Sequence, residues 1–287
     1  MAIKKILVPF GDAKIGIGAL SAAIAIGRDN DANVSVLHVR PDPRSAAMAY
    51  MGEPVSASMI DGIMASMEKR TASEAAKAKK AFDDACAKGK VPASGKNPAA
   101  GKFTATFTDE TGYEDVSIRE RGRVSDLLVM ARPQGDLAAS QRLSLEAALI
   151  DTGRPLLVVP PKSSAKIGTN VAIAWNGSSQ SARAVAAAMD FIVAAKSVTV
   201  LVAKEENADF DGEELQGYLA AHGVKAKVVS VAAKGDAGKA LLSAASKAGA
   251  DLLVMGAYGH SRVRELVLGG VTKYVLQNAT IAALMAH

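Results

Sequence analysis

Ser125-Asp126-Leu127-Leu128-Val129-Met130-Ala131 returns almost unchanged as Ala250-Asp251-Leu252-Leu253-Val254-Met255-Gly256. Each copy is a short continuous apolar run, the pattern of a strand covered by helices on both faces. Working outward, the neighbouring parts recur in the same order. Lys5-Ile6-Leu7-Val8-Pro9-Phe10-Gly11-Asp12 precedes an Ala/Ile/Leu-rich stretch and then Val34-Ser35-Val36-Leu37-His38-Val39. Asn170-Val171-Ala172-Ile173-Ala174-Trp175-Asn176-Gly177 precedes an Ala-rich stretch and then Val198-Thr199-Val200-Leu201-Val202. Two halves with one order of parts indicate a tandem duplication. Duplication also accounts for 287 residues, long for one domain of the usual ~100–200.

The halves divide near Pro160-Pro161-Lys162-Ser163-Ser164, which cannot readily continue a sheet or helix, giving units 1–164 and 165–287. The first is longer. Its excess lies around Pro41 to Pro54 and Lys90 to Gly101, both loop-like in composition. In the second half the pattern predicts strands at about 169–175, 197–203, 225–231, 251–255 and 281–285. Helices are predicted at about 178–194, 211–222, 236–248 and 270–278. Alternating strands and helices require right-handed crossovers, hence an α/β fold of two doubly wound, parallel-sheet domains. Each half ends in an apolar strand, Pro155-Leu156-Leu157-Val158-Val159 and Ile281-Ala282-Ala283-Leu284-Met285. Exposed apolar edges are liabilities, so these strands are expected at the contact between the halves.

Composition excludes several classes of function. Hydrophobic residues at 49% and charged residues at 22% fit a chain that buries a core rather than a disordered one. Aromatics at 4% are too few for stacking platforms on single-stranded nucleic acid. The net charge of +5 is scattered, and Lys77-Ala78-Lys79-Lys80 falls on a polar helix face, so no nucleic-acid partner is expected. The single cysteine, Cys86, can form neither an internal disulfide nor a cysteine-rich zinc site, and its alanine-flanked setting reads as packing. The N-terminal stretch does not read as a secretory signal and no run is long enough for a membrane span, so the expected compartment is the cytoplasm.

The most informative loop is Gly256-Ala257-Tyr258-Gly259-His260-Ser261-Arg262-Val263-Arg264-Glu265-Leu266-Val267-Leu268-Gly269-Gly270-Val271-Thr272. It starts where a strand ends and closes where a helix begins. Gly256 and Gly259 allow sharp turns and close approach of a ligand. Gly269 and Gly270 stand at a helix start, where the N–H groups of Gly270, Val271 and Thr272 can face an anion. His260 can donate to a phosphate oxygen, and the Thr272 hydroxyl can assist. The same glycines also read as plain turn and cap residues. Nucleotides in open α/β sheets bind beyond the strand ends where strand order reverses. A flavodoxin-type or related order puts the first and fourth strands of this half there, with Ala174-Trp175-Asn176-Gly177-Ser178 at the same end.

This half resembles the universal stress protein A family in its ATP-binding form. That family's phosphate motif runs Gly, two residues, Gly, nine residues, Gly, then Ser, Thr or Asn. Gly256, Gly259 and Gly269 match the glycines, and Gly270 departs from the hydroxyl or amide residue that follows. The family's first strand usually ends in an Asp near the adenosine, where this chain has Asn176. Main-chain groups at the end of the second strand usually read the adenine, and Val202 and Ala203 occupy that place. The resemblance implies an adenine-nucleotide-hydrolase-like fold and ATP, with or without Mg2+, held by Ala174, Trp175, Asn176, Gly177, Val202, Ala203, Met255, Gly256, Gly259, His260, Gly269, Gly270, Val271 and Thr272. It also implies a stress-response role and an intramolecular pseudo-dimer, with a further homodimer permitted but not required.

The first half keeps the plan and lacks the motif. Ala131-Arg132-Pro133-Gln134-Gly135-Asp136 follows its fourth strand, and Ser140-Gln141-Arg142-Leu143-Ser144 opens its last helix without paired glycines. It is expected not to bind ATP in the family mode, with Pro9 to Asp12 and His38 left as candidates for another ligand. Gly16-Ile17-Gly18-Ala19-Leu20-Ser21 starts too far past the first strand for a dinucleotide fingerprint, and no Walker loop or His-Glu-x-x-His is present. The four histidines share no metal-ligand spacing. No nucleophile–base pair is visible, so catalysis is not expected beyond slow ATP hydrolysis. Two alternatives stand: a slow ATPase or nucleotide-dependent transferase, and an interaction module that binds no nucleotide.

Overall fold

The computed structural model describes residues 3–44, 56–92, 101–134, 139–161, 166–204, 212–232, 235–258 and 270–287. The first half contributes β1 (Lys5–Pro9), α1 (Ala13–Asp29), β2 (Asn33–Arg40), α2 (Ala57–Lys88), β3 (Thr104–Thr111), α3 (Glu114–Gly122), β4 (Leu127–Ala131), α4 (Ala139–Glu146) and β5 (Leu156–Val159). A π-helical turn, Ala147–Asp151, extends α4. The second contributes β6 (Asn170–Trp175), α5 (Ser179–Ala187), α6 (Met189–Ala194), β7 (Ser197–Lys204), α7 (Glu213–Ala221), β8 (Ala226–Ala232), α8 (Ala237–Lys247), β9 (Leu252–Gly256), α9 (Gly270–Asn278) and β10 (Ala282–Ala286). The predicted strands of the second half each begin and end within a residue or so of these bounds. The predicted helix over 178–194 is two helices, because the Ala188 N–H is shared between the carbonyls of Ala184 (3.0 Å) and Val185 (3.1 Å) in a tight turn. Ala188 is fully buried, so packing overrides the helix preference of alanine there.

All ten strands form one sheet in the order β3-β2-β1-β4-β5-β10-β9-β6-β7-β8. Each half therefore has the local order 3-2-1-4-5, the Rossmann-like rather than the flavodoxin-like arrangement. Pairing is parallel within each half and antiparallel between β5 and β10, where Leu156, Leu157 and Val158 stand opposite Met285, Leu284 and Ala283. Two similar halves related by a two-fold axis must bring equivalent strands together in opposite directions. The contact removes the apolar edge that each half would otherwise expose: every residue of β5 and β10 is buried.

Two apolar layers cover the sheet. One joins α1, α2, α5, α6 and α7 through Leu20, Ile24, Phe82, Val185, Ile192 and Leu215. The other joins α3, α4, α8 and α9 through Ile118, Leu145, Leu241 and Val275. The repeated aspartate works alike in both halves. The Asp126 carboxylate accepts from the N–H groups of Lys4 (2.8 Å) and Lys5 (2.9 Å). Asp251 accepts from those of Gly168 (2.7 Å), Thr169 (3.0 and 3.1 Å) and Asn170 (3.2 Å). Each aspartate thus ties the start of its half's fourth strand to the start of the first. Lys79 and Lys80 pair with Asp83 (2.6 Å) and Asp84 (2.8 Å) one turn along α2, a solvated helix face. No helix among the described residues is long and apolar enough to cross a membrane.

Candidate functional site

The strand order of the second half reverses between β6 and β9, which lie side by side with Ala174 opposite Met255. The chain segments leaving these two strands, Asn176 to Ser178 and Gly256 to Tyr258, are therefore neighbours by construction. Ser178 caps α5 by accepting from the Ser181 N–H. Asn176 Oδ1 in turn accepts from the Ser178 N–H (3.2 Å) and hydroxyl (2.7 Å), a local turn that fixes the entry to the helix. Among the described residues its amide nitrogen has no partner and remains a donor at the crevice. Gly177 sits at φ +68°, which suits glycine.

Gly256 is held by contact. A Cβ on it would lie 2.6 Å from the Ser181 nitrogen and 2.8 Å from the Gln180 carbonyl carbon, both main-chain atoms. The first turn of α5 thus rests on the end of β9, and only glycine permits that approach. Met255 and Ala257 are buried on either side. The next residue, Tyr258, has φ +58°, a left-handed conformation that costs a non-glycine residue about 1–2 kcal/mol. Its ring lies edge-on to His287, 6.0 Å between centroids, and His287 Nδ1 is 3.2 Å from the Ala257 carbonyl. Burial, helped by the Glu146 carboxylate from the first half, pushes the Tyr258 phenol up to about 12. Its hydroxyl is buried with no hydrogen-bond partner among the described residues. No periodicity or spacing in the sequence marks the backbone conformation of Tyr258.

Ladder ends set what the second strand can offer. Pairing of β6 with β7 stops at Trp175 opposite Val202, whereas β7 continues beside β8 through Ala203 and Lys204. On the β6 side the main chain of Ala203 therefore faces no strand, and it lies next to the crevice. The Val202 side chain is buried in the core. Gly270 opens α9 and is exposed, with Val271 partly buried. Thr272 is buried in the same helix, on the side that packs Val275 and Leu276. Gly259, His260 and Gly269, with Arg262, Arg264 and Glu265, lie outside the described residues. Among the described residues no group of three or more His, Cys, Asp or Glu side chains could hold a metal ion.

The corresponding region of the first half is filled by its own chain. Phe10 is fully buried, and His38, buried as well, has Nδ1 2.7 Å from the Phe10 carbonyl. Asp12 caps α1 by accepting from the Lys14 N–H (2.7 Å). Glu114 accepts from the Ser144 hydroxyl (2.7 Å), and its other oxygen lies 3.7 Å from where a Gly11 Cβ would stand. Arg132 donates to the Gln277 carbonyl at the C-terminal end of α9, tying this region to the other half. Burial, with the Asp83 carboxylate adding to it, pushes the Cys86 thiol up to about 11, the reverse of an activated thiol.

Two doubly wound units on one sheet, with a crevice at the order reversal of the second, define a tandem α/β protein. Residues 169–287 match the model of the universal stress protein family, so the second half carries a universal stress protein domain. No curated protein matches the chain in sequence. Among solved structures, a universal stress protein from Archaeoglobus fulgidus is similar over 98% of this chain and 97% of its own, with a TM-score of 0.66 at 14% identity. A Pseudomonas aeruginosa protein provisionally placed among the universal stress proteins is similar over 99% and 93%, with a TM-score of 0.58 at 16% identity. A second Pseudomonas aeruginosa protein, of unknown function, is similar over 99% and 92%, with a TM-score of 0.56 at 15% identity. At these identities the likeness is one of fold.

Proposed function

We propose that the second half binds one adenine nucleotide, ATP with or without Mg2+, and that the chain is a regulatory stress protein that holds the nucleotide rather than consuming it. The observation that carries this reading is the juxtaposition at the β6/β9 reversal: a close-packed Gly256, the Asn176 amide and the open main chain of Ala203 share one strand end. These groups fit the ligand. The main chain of Val202 and Ala203 suits the base, Asn176 suits the ribose, and the N–H groups of Gly270, Val271 and Thr272 at the start of α9 suit the phosphates. Mg2+, where present, would neutralise phosphate charge. In the first half the Glu114 carboxylate beside Gly11 opposes a phosphate, and Phe10 and His38 are buried.

The test is titration calorimetry with ATP on the full chain, together with mass spectrometry of any small molecule that co-purifies. One site per chain is expected, with Gly259→Val weakening it strongly. Two equivalent sites, or unchanged affinity in the variant, would count against the assignment. Phosphate release should stay far below the ~10 s⁻¹ typical of enzymes.

A further inference from the structure

A second concave site lies beside the crevice. Trp175 at the end of β6, Ala182 and Val185 of α5, and Glu214, Leu215 and Tyr218 of α7 line a cavity of about 320 Å3. Ala182 and Val185 are three apart, and Tyr218 lies three and four residues beyond Leu215 and Glu214, so each helix turns one face toward the space. In the first half the matching layer holds α2, a helix of 32 residues whose Phe82 packs on Phe107 at 5.4 Å. Its counterpart α7 has nine residues, and the facing helix presents alanine and valine.

The lining is selective. Leu215 and Val185 supply an apolar floor. Trp175 and Tyr218 supply aromatic faces, whose negative electrostatic potential attracts cations. Among the described residues Glu214 is the one charged lining residue, a carboxylate in a chain whose net charge is +5. An anion such as a phosphate is disfavoured by both features. Of the six described lining residues, Trp175 alone also borders the β6/β9 crevice.

We propose that this cavity binds a small organic cation with an apolar body, a one-ring aromatic ammonium ion being the fitting size, with Trp175 and Tyr218 against the ring and Glu214 against the charge. The ammonium group gains an ion pair and cation–π contact while the ring replaces water on apolar surface. This site adjoins the nucleotide's, with Trp175 as the shared wall, and does not depend on the nucleotide reading.

The chain reports on it directly, because Trp175 is the sole tryptophan. Intrinsic fluorescence of the full chain is titrated with three probes of one shape: phenethylammonium, neutral 2-phenylethanol and anionic 3-phenylpropionate. A saturable response to phenethylammonium is expected, with the alcohol about fivefold weaker and the anion weaker still. Glu214→Gln should reduce the preference for the cation to the part the aromatic faces supply, without affecting the fold, since Glu214 is exposed. Tyr218→Phe should keep binding, and Tyr218→Ala should weaken it. Saturating ATP should leave the response in place. No saturable response, equal binding of all three probes, or a preference left undiminished by Glu214→Gln would overturn the proposal. Competitive displacement by ATP would also overturn it, assigning the cavity to the nucleotide.

Discussion

Leu157 of β5 stands opposite Leu284 of β10, both completely buried, at the centre of the antiparallel seam where two parallel half-sheets become one. The pair belongs to the cores of both halves at once. Leu284→Ala is therefore expected to cost about 2–5 kcal/mol, the range for a leucine truncated in a well-packed core. Urea unfolding of the variant should show one cooperative transition, shifted but not split. Two separated transitions, one unaffected by the substitution, would mean that the halves fold independently of the seam.

Asp251 offers a contrast of charge rather than volume. Its carboxylate accepts N–H groups from three consecutive residues at the start of β6. Hydrogen bonds to a charged acceptor are worth about 1.5–3 kcal/mol each way of counting, and their loss leaves donors unmet. Asp251→Ala should cost more than Asp126→Ala, which loses two such bonds. Denaturant midpoints of the two variants, measured side by side, test the order.

Much of this architecture was readable from the repeated Asp-Leu-Leu-Val-Met runs, because strands buried on both faces leave continuous apolar segments whatever their neighbours. The seam was readable for a related reason: Leu156 to Val159 and Ala282 to Met285 are too apolar for a free edge. Other features depend on contacts between distant segments, which no local pattern encodes. The close approach of Gly256 to Ser181 is one, and the filling of the first crevice by Glu114 and Ser144 is another. The length of α2 was masked by the loop-like composition on both sides of it. Asn176 read as a ligand contact from its position, but its carbonyl oxygen is taken by Ser178, leaving only the amide nitrogen for that role.

Alkaline pH should weaken the fold in a defined window. Cys86 and Tyr258 are acids whose pKa values are raised in the folded chain, from 9.0 to about 11 and from 10.0 to about 12, chiefly by burial. Above the ordinary values the unfolded chain gives up these protons first, so stability present below pH 9 declines as the pH rises toward 12. Cys86→Ser and Tyr258→Phe should each flatten the decline in denaturation curves taken across that range. Tyr258→Phe should also leave stability unchanged or raised near neutrality, because the hydroxyl it removes has no partner among the described residues.

The two described glycines of the loop should respond in opposite ways to a side chain. A Cβ on Gly256 meets the main chain of Gln180 and Ser181 below 3.0 Å, whereas one on Gly270 meets nothing within 4 Å among the described residues. Gly256→Ala must push the first turn of α5 off the sheet, at about 1–3 kcal/mol for overpacking, and should weaken ATP binding with it. Gly270→Ser places a hydroxyl at the exposed start of α9 without a clash, where an added hydrogen bond to phosphate is worth about 0.5–1.5 kcal/mol. The serine variant should therefore keep the parent's melting behaviour and bind ATP about two- to tenfold more tightly. Calorimetric titration of both variants against the parent chain decides the matter: unchanged or weaker binding by a normally folded Gly270→Ser would remove the phosphates from the start of α9.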